Sequence, residues 1–209
     1  MSLLLTICAL HFVAQLTPGP DVLLIAKSSA STTRLNTLKI ILGISAGIVV
    51  WVVLTLLGFT VLVEQFPWIQ QILMLIGGFF LARMGWGMLK EGLTSAQSPQ
   101  LEGTLTLPGQ QKYFLLGLLT NLSNPKTLIY FSSVFSLALG SSANANLKSQ
   151  LAFIIPLQTF LVFSLFMFIM STPKIKALYQ RAGHAIDILS GALFLVFAIW
   201  LWYDAIQMF

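Results

Sequence analysis

The sequence predicts an all-α membrane protein of about six transmembrane helices in two inverted three-helix repeats, with the first and fourth helices broken. Three observations predict it. Only 8% of residues are charged against 57% hydrophobic, the apolar residues gather into runs long enough to cross a bilayer, and a proline-containing break recurs at corresponding places in the two halves. A soluble domain carries roughly a quarter charged residues, and a chain this apolar would expose large greasy patches to water, so lipid is its natural solvent. A hydrocarbon core ~30 Å thick takes about 20 apolar helical residues to cross. The 209 residues therefore accommodate six spans with short connections and no sizeable soluble domain. Strands of a membrane barrel would alternate apolar and polar residues. Runs such as 40–63 and 151–170 do not alternate, which favours helices.

The spans fall, in order, near 3–27, 38–63, 68–90, 113–139, 149–171 and 185–207. The first is apolar from Leu3 to Leu16, with no basic region ahead of it and no small-residue cleavage site behind it, so it reads as a retained helix rather than a signal peptide. The lone Cys8 within it permits no internal disulfide and reads as a small buried hydrophobe. In the second span Gly43 and Gly47 form a Gly-x-x-x-Gly spacing that suits a helix-packing face. Between the third and fourth spans, residues 91–112 are polar and carry Pro99, Gly103, Pro108 and Gly109, so this stretch reads as a flexible loop. It divides a single transmembrane domain, 1–209, into repeat one at 1–90 and repeat two at 113–209.

Orientation follows from Lys and Arg, which concentrate in cytoplasmic connections. Arg34 and Lys39 fall in the first connection with Lys27 at its edge, Lys90 and Lys112 in the third, and Lys174, Lys176 and Arg181 in the fifth. The second and fourth hold only Lys148 between them, so odd connections, the 91–112 loop included, face the cytoplasm and both termini face outside. Trp68, Trp200, Trp202 and Tyr203 sit where outer-interface anchors belong, whereas Trp51 falls mid-helix. The formal charge of +5 comes from basic residues spread singly along the chain, which fits loop charges and not a nucleic-acid surface.

Three spans per half make the second half cross the membrane in the opposite sense to the first, the arrangement of inverted-repeat transporters. Gln15-Leu16-Thr17-Pro18-Gly19-Pro20-Asp21 has its counterpart in Asn121-Leu122-Ser123-Asn124-Pro125-Lys126, about 105 residues later. Pro18-Gly19-Pro20 cannot sit in a regular helix, because proline lacks the N–H and clashes with the carbonyl one turn back. Asn124-Pro125 repeats the break in the fourth span. Such breaks survive at membrane depth only where protein or a watery cavity supplies partners for the freed backbone. Each is followed by a charge, Asp21 and Lys126, and a charge near the bilayer centre costs ~2.5–3.5 kcal/mol on insertion scales, so it is rarely kept without a task. Gln15, Thr17, Asn121 and Ser123 add hydrogen-bonding groups, and open backbone N–H and C=O groups suit the carboxylate and ammonium of a zwitterion. A sugar or small ion could use the same groups. His11 shares a helix face with Gln15 one turn away and reads either as a proton relay or as a satisfied interior histidine. Arg83 either balances Asp21 or reaches the cytoplasmic surface, and Glu64 lies at a helix end.

Taken with the length, six spans and hydrophilic middle loop, Leu16-Thr-Pro-Gly-Pro-Asp21 and Leu118-Leu-Thr-Asn-Leu-Ser-Asn-Pro-Lys126 resemble the LysE/RhtB amino-acid exporters over essentially the whole chain. The run from Asn121 through Phe135 is most similar to the threonine/homoserine branch. The resemblance implies a bacterial inner-membrane exporter driven by the proton gradient, with Pro18-Gly19-Pro20-Asp21 and Asn124-Pro125-Lys126 lining the path.

The expected activity is thus secondary export of a small neutral amino acid by alternating access, with Asp21 taking up and releasing the proton. Lys or Arg as substrate would bring a charge with no evident acidic partner, because Glu64, Glu91, Glu102, Asp187 and Asp204 lie at or near helix ends or in loops. An exporter of basic amino acids, a membrane enzyme and a helper subunit are the alternatives. The enzyme reading lacks a Gly-x-Ser-x-Gly, a His-Glu-x-x-His or a Cys–His pairing. No cofactor, metal or nucleic acid is called for; the partners are the amino acid, protons and the bilayer, and self-assembly into a homo-oligomer is left open.

Overall fold

A computed structural model describes residues 3–16, 19–58, 62, 65–97, 111–131 and 145–207. Among the described residues the elements are eight helices: α1 (Leu3–Leu16), α2 (Pro20–Ser31), α3 (Arg34–Leu56), α4 (Pro67–Gln97), α5 (Gln111–Leu122), α6 (Pro125–Ile129), α7 (Ala145–Met170) and α8 (Pro173–Gln207). Among the described residues there is no strand. Four helices, α3, α4, α7 and α8, are each long and apolar enough to cross a membrane, and α1 with α2, bent by 59° at their junction, makes a fifth. Part of the fourth predicted span, 132–139, lies outside the described residues.

Several ends depart from the hydropathy reading. The second span was expected to reach residue 63, but α3 stops at Leu56 because Gly58 turns the chain with φ +92°, a left-handed conformation that glycine adopts without penalty. Its start is set by Thr33, whose hydroxyl accepts from the Asn36 N–H at 3.3 Å. The loop expected from residue 91 begins later, since α4 continues to Gln97, two residues short of the breaker Pro99. The sixth helix, expected from 185, starts at Pro173. In each extended case polar residues continue a helix past the apolar span, because hydropathy marks where lipid ends and not where the backbone ladder ends. Asp187 consequently lies inside α8, buried, and not near a helix end as expected.

Helix pairs pack through glycine. On α3 and α5, a Cβ on Gly43 would strike the Phe114 carbonyl, one on Gly47 the Asn121 side chain, and one on Gly117 the Ile40 carbonyl. Gly43 also meets Leu118, so the pairs Ile40–Gly117, Gly43–Leu118 and Gly47–Asn121 rise together, α3 and α5 run parallel, and the expected Gly43/Gly47 packing face is used. On α4 and α8, Gly78 meets Trp202, Gly85 meets Gly191, and Gly92 meets His184 and Ile188. Here the numbers run oppositely, so the pair is antiparallel. Small residues at such crossings let helices approach closely, the main source of cohesion where lipid removes the hydrophobic drive. α7 packs on α1, α2 and α3.

Lipid-facing residues are large and apolar. On α8, Leu189, Val196, Ile199 and Ile206 are exposed along one stripe, and on α7 Phe153, Leu157, Leu161 and Leu165 form another. Trp68, Trp200 and Tyr203 are exposed as interface anchors would be. Trp51 is buried and stacks on Phe131, with ring centroids 6.4 Å apart, which accounts for its place mid-helix. At one end of the bundle the buried Lys27 of α2 pairs with Glu91 of α4 at 3.2 Å and Asp187 of α8 at 3.0 Å. Arg34, at the start of α3, lies over the Phe168 ring near the end of α7, 5.5 Å from its centroid.

Candidate functional site

Pro20 and Pro125 each begin a helix. Gly19 precedes α2 in extended conformation, φ −176° and ψ 179°, and Pro20 is the first helical residue, where its missing N–H is one the helix could not bond anyway. Asp21 follows in the first turn, where the positive end of the helix dipole favours a carboxylate. At the second break Asn124 caps α6, its side chain accepting from the Lys126 N–H at 3.0 Å, and Pro125 occupies the first position. Thr17 and Pro18 lie outside the described residues.

The two breaks meet. Asn121 Nδ2, at the end of α5, donates to Asp21 Oδ2 at 2.8 Å. The Lys126 side chain crosses Gly19 so closely that a Cβ there would lie 3.3 Å from both Cε and Nζ. The backbone angles of Gly19 suit any residue, and a Cβ there would ask the flexible end of the Lys126 side chain to give by a few tenths of an ångström. Asp21 is 4% exposed and Asn121 and Asn124 are fully buried. Beside them lies a cavity with Asp21, Lys126, Thr127, His11, Gln15 and Thr159 as its polar lining. Ile48, Tyr130, Phe131 and Phe163 form apolar walls. The mixture of apolar walls with a few polar groups is the one usual for small-molecule sites.

On the α1 side of the cavity, His11 and Gln15 meet Thr159 of α7. Gln15 Nε2 donates to Thr159 Oγ1 at 2.6 Å and lies 3.0 Å from His11 Nε2, which is itself 3.0 Å from the same hydroxyl. The imidazole is hemmed in by Tyr130 and Phe131, with ring centroids 5.3 and 6.1 Å away. Gln158 Nε2 donates to the Cys8 carbonyl at 2.9 Å and ties α7 to α1 nearby. Among the described residues, His11 Nδ1, Gln15 Oε1 and Asp21 Oδ1 are buried without a hydrogen-bond partner. Buried polar atoms are nearly always bonded, so three such atoms on the lining of one cavity mark a place prepared for a polar ligand.

Of the residues singled out from sequence, His11, Gln15, Asp21 and Lys126 line the cavity, and Gly19, Pro20, Asn121, Asn124 and Pro125 build the breaks beside it. Ser123 instead packs toward Gly77 of α4, whose Cβ would lie 3.3 Å from the serine Cα, and Arg83 is exposed on α4, away from the lining. Sequence reasoning did not find Thr127, Tyr130, Phe131, Thr159 or Phe163. The one signal for Thr159 was Pro156, three residues earlier inside α7, a helix-perturbing residue in an otherwise continuous apolar run.

The family model described as LysE type translocator matches residues 12–205. A threonine efflux protein of Salmonella typhimurium is 38% identical over 203 residues, covering 95% of this chain and 97% of its own. The threonine efflux protein of Escherichia coli is 36% identical over the same shares. An uncharacterized membrane protein of Haemophilus influenzae is 35% identical over 98% of each chain. No solved structure matches the chain.

Proposed function

The chain belongs to the LysE type translocator family, and from that premise we propose that it exports threonine, homoserine or a similar small neutral amino acid across the bacterial inner membrane in exchange for protons. Amino-acid export itself follows from family membership and from relatives at 36–38% identity over nearly the whole chain, and with it the enzyme and helper-subunit readings lose their footing. The observation that carries the finer reading is the convergence of both helix breaks on one cavity lined by one carboxylate and one ammonium, Asp21 and Lys126. A zwitterion presents the same two charges: its ammonium faces Asp21, its carboxylate faces Lys126 and the N-terminal turn of α2. Among the described residues lining the cavity Asp21 is the one acidic residue, so a cationic side chain would find no second partner among them.

Alternating access of two inverted three-span halves would expose this cavity to each side in turn. Support comes from the mutual contact of Gly85 and Gly191, where a Cβ on either lies within 2.8 Å of the other's carbonyl oxygen. These glycines are separated by the same interval of about 105 residues as the two breaks, as expected at an axis relating the halves. Asp21 then serves as the proton carrier, released from its buried state when the substrate leaves.

Cells overproducing the protein should survive otherwise toxic threonine or homoserine and hold less of either inside. In inverted vesicles with an imposed pH gradient, Asp21→Asn should stop uphill movement while the protein remains folded and inserted. Protection against a lysine or arginine analogue with threonine sensitivity unchanged would sink the substrate assignment. Normal uphill transport by Asp21→Asn would sink the coupling assignment.

A further inference from the structure

We propose that the cavity selects amino acids bearing a side-chain hydroxyl, and that His11 and Gln15, positioned by Thr159, are the groups that bind it. The inference rests on the assignment of this cavity as the substrate site. It starts from the proton inventory of three side chains. The Gln15 amide has two protons and two neighbours, Thr159 Oγ1 at 2.6 Å and His11 Nε2 at 3.0 Å, and it donates to both. His11 Nε2 is then an acceptor, so a neutral imidazole carries its proton on Nδ1. The Thr159 hydroxyl donates to the Ile155 carbonyl at 3.0 Å. Two groups are left over, the Nδ1–H donor and the Gln15 Oε1 acceptor, both buried and without a partner among the described residues.

Turning the Gln15 amide end for end, the usual ambiguity of this side chain, reverses every role and leaves the same remainder. Oε1 then accepts from the threonine hydroxyl and from Nε2–H, freeing the amide N–H groups as donors and the Nδ1 lone pair as acceptor. In both arrangements the lining offers one donor position and one acceptor position. A hydroxyl donates once and accepts readily, so it satisfies both. A methyl group satisfies neither, an ammonium can only donate, and a carboxylate can only accept. A carboxamide would also serve chemically, but Tyr130 and Phe131 crowd the imidazole and leave little room for the larger group. Thr159 touches both His11 and Gln15 and acts through them.

The test is equilibrium binding of L-threonine, L-valine and L-asparagine to the full-length protein in detergent, by titration calorimetry. Valine replaces the threonine hydroxyl with a methyl at nearly constant shape, and a site built to bond a hydroxyl rejects such an analogue strongly, here by about 100-fold or more. His11→Leu and Gln15→Leu should each shrink the threonine-to-valine ratio by at least about tenfold. Thr159→Val, close to isosteric and least disturbing to folding, should lower the ratio, and Thr159→Ser should keep it. His11→Asn, whose amide nitrogen stands in for Nδ1, should restore part of what His11→Leu loses. Asp21→Asn should weaken threonine and valine alike with the ratio intact; if it weakens neither, the cavity is not the zwitterion site, a failure of the underlying assignment and not of the hydroxyl rule. The proposal is overturned if the wild-type protein binds threonine and valine equally or not at all, if asparagine binds as tightly as threonine, or if the ratio survives in His11→Leu, Gln15→Leu and Thr159→Val.

Discussion

Asp21 and Lys126 are each expensive at membrane depth and tolerable together. Asp21 is almost fully buried against Asn121, and Lys126 lines the same cavity. Removing one partner leaves the other as an uncompensated buried charge, a loss of roughly 3–5 kcal/mol in comparable pairs. Lys126→Met should therefore lower the unfolding temperature in detergent and abolish efflux. The double variant Asp21→Asn with Lys126→Met should regain most of the stability and none of the transport. Stability losses that simply add in the double variant would show that the two charges do not share one network. These two residues were legible in the sequence because charges and prolines inside apolar runs are conspicuous by chemistry alone. Thr159 and Phe163 were not, since a threonine or phenylalanine in a span looks the same whether it faces lipid, a neighbour or a cavity. His11 stood between: its helix face was readable from the spacing to Gln15, but its unbonded Nδ1 emerges only once Thr159 and Tyr130 are in place.

Helices here are held by close crossings, and the crossings discriminate sharply between glycines. A Cβ on Gly43 would overlap the backbone carbonyl of Phe114, which cannot move unless α3 and α5 separate, whereas one on Gly87 would meet nothing within 4 Å. Gly43→Ala should then destabilise the protein by about 1–3 kcal/mol through overpacking. Gly87→Ala should be neutral or stabilising by up to ~1 kcal/mol, because alanine gives up less backbone entropy in a helix. Thermal unfolding of both variants in one detergent checks the pair, and equal effects would remove the crossing as the cause. The Gly43/Gly47 face was readable from its spacing, but its partner helix was not, since any of the other spans could have supplied the facing surface. Helix ends were the least readable feature. α8 begins at Pro173, well before its apolar stretch, and only its packing along α4 explains why polar residues such as His184 continue the helix there.

For the whole molecule, the arrangement of charge decides which way the cavity opens to each compartment. Buried Lys27 of α2 joins the exposed Glu91 of α4 and Asp187, inside α8, in one ion cluster, and Arg34 reaches across to Phe168. These contacts bring Lys27 of α2, Arg34 at the start of α3, Glu91 of α4, Phe168 near the end of α7 and Asp187 of α8 toward a single end of the bundle. Trp202, whose Nε1 donates to the Leu75 carbonyl at 3.2 Å, belongs to the opposite end of the same antiparallel α4–α8 pair. The basic residues Lys39, Lys90, Lys112, Lys174 and Lys176 lie in or beside the odd connections, and Lys/Arg enrichment marks the cytoplasmic side. The ion cluster is thus predicted to close the cavity toward the cytoplasm, and both termini to face outside. Single cysteines in a Cys8→Ser background should settle it with a membrane-impermeant thiol reagent on intact cells. Cysteines at the exposed Ala145 and after Phe209 should label from outside, and those at Gln97 and the exposed Lys174 only after the cells are opened. Labelling of Gln97 in intact cells would invert the whole assignment, and with it the direction in which the proton gradient drives the amino acid.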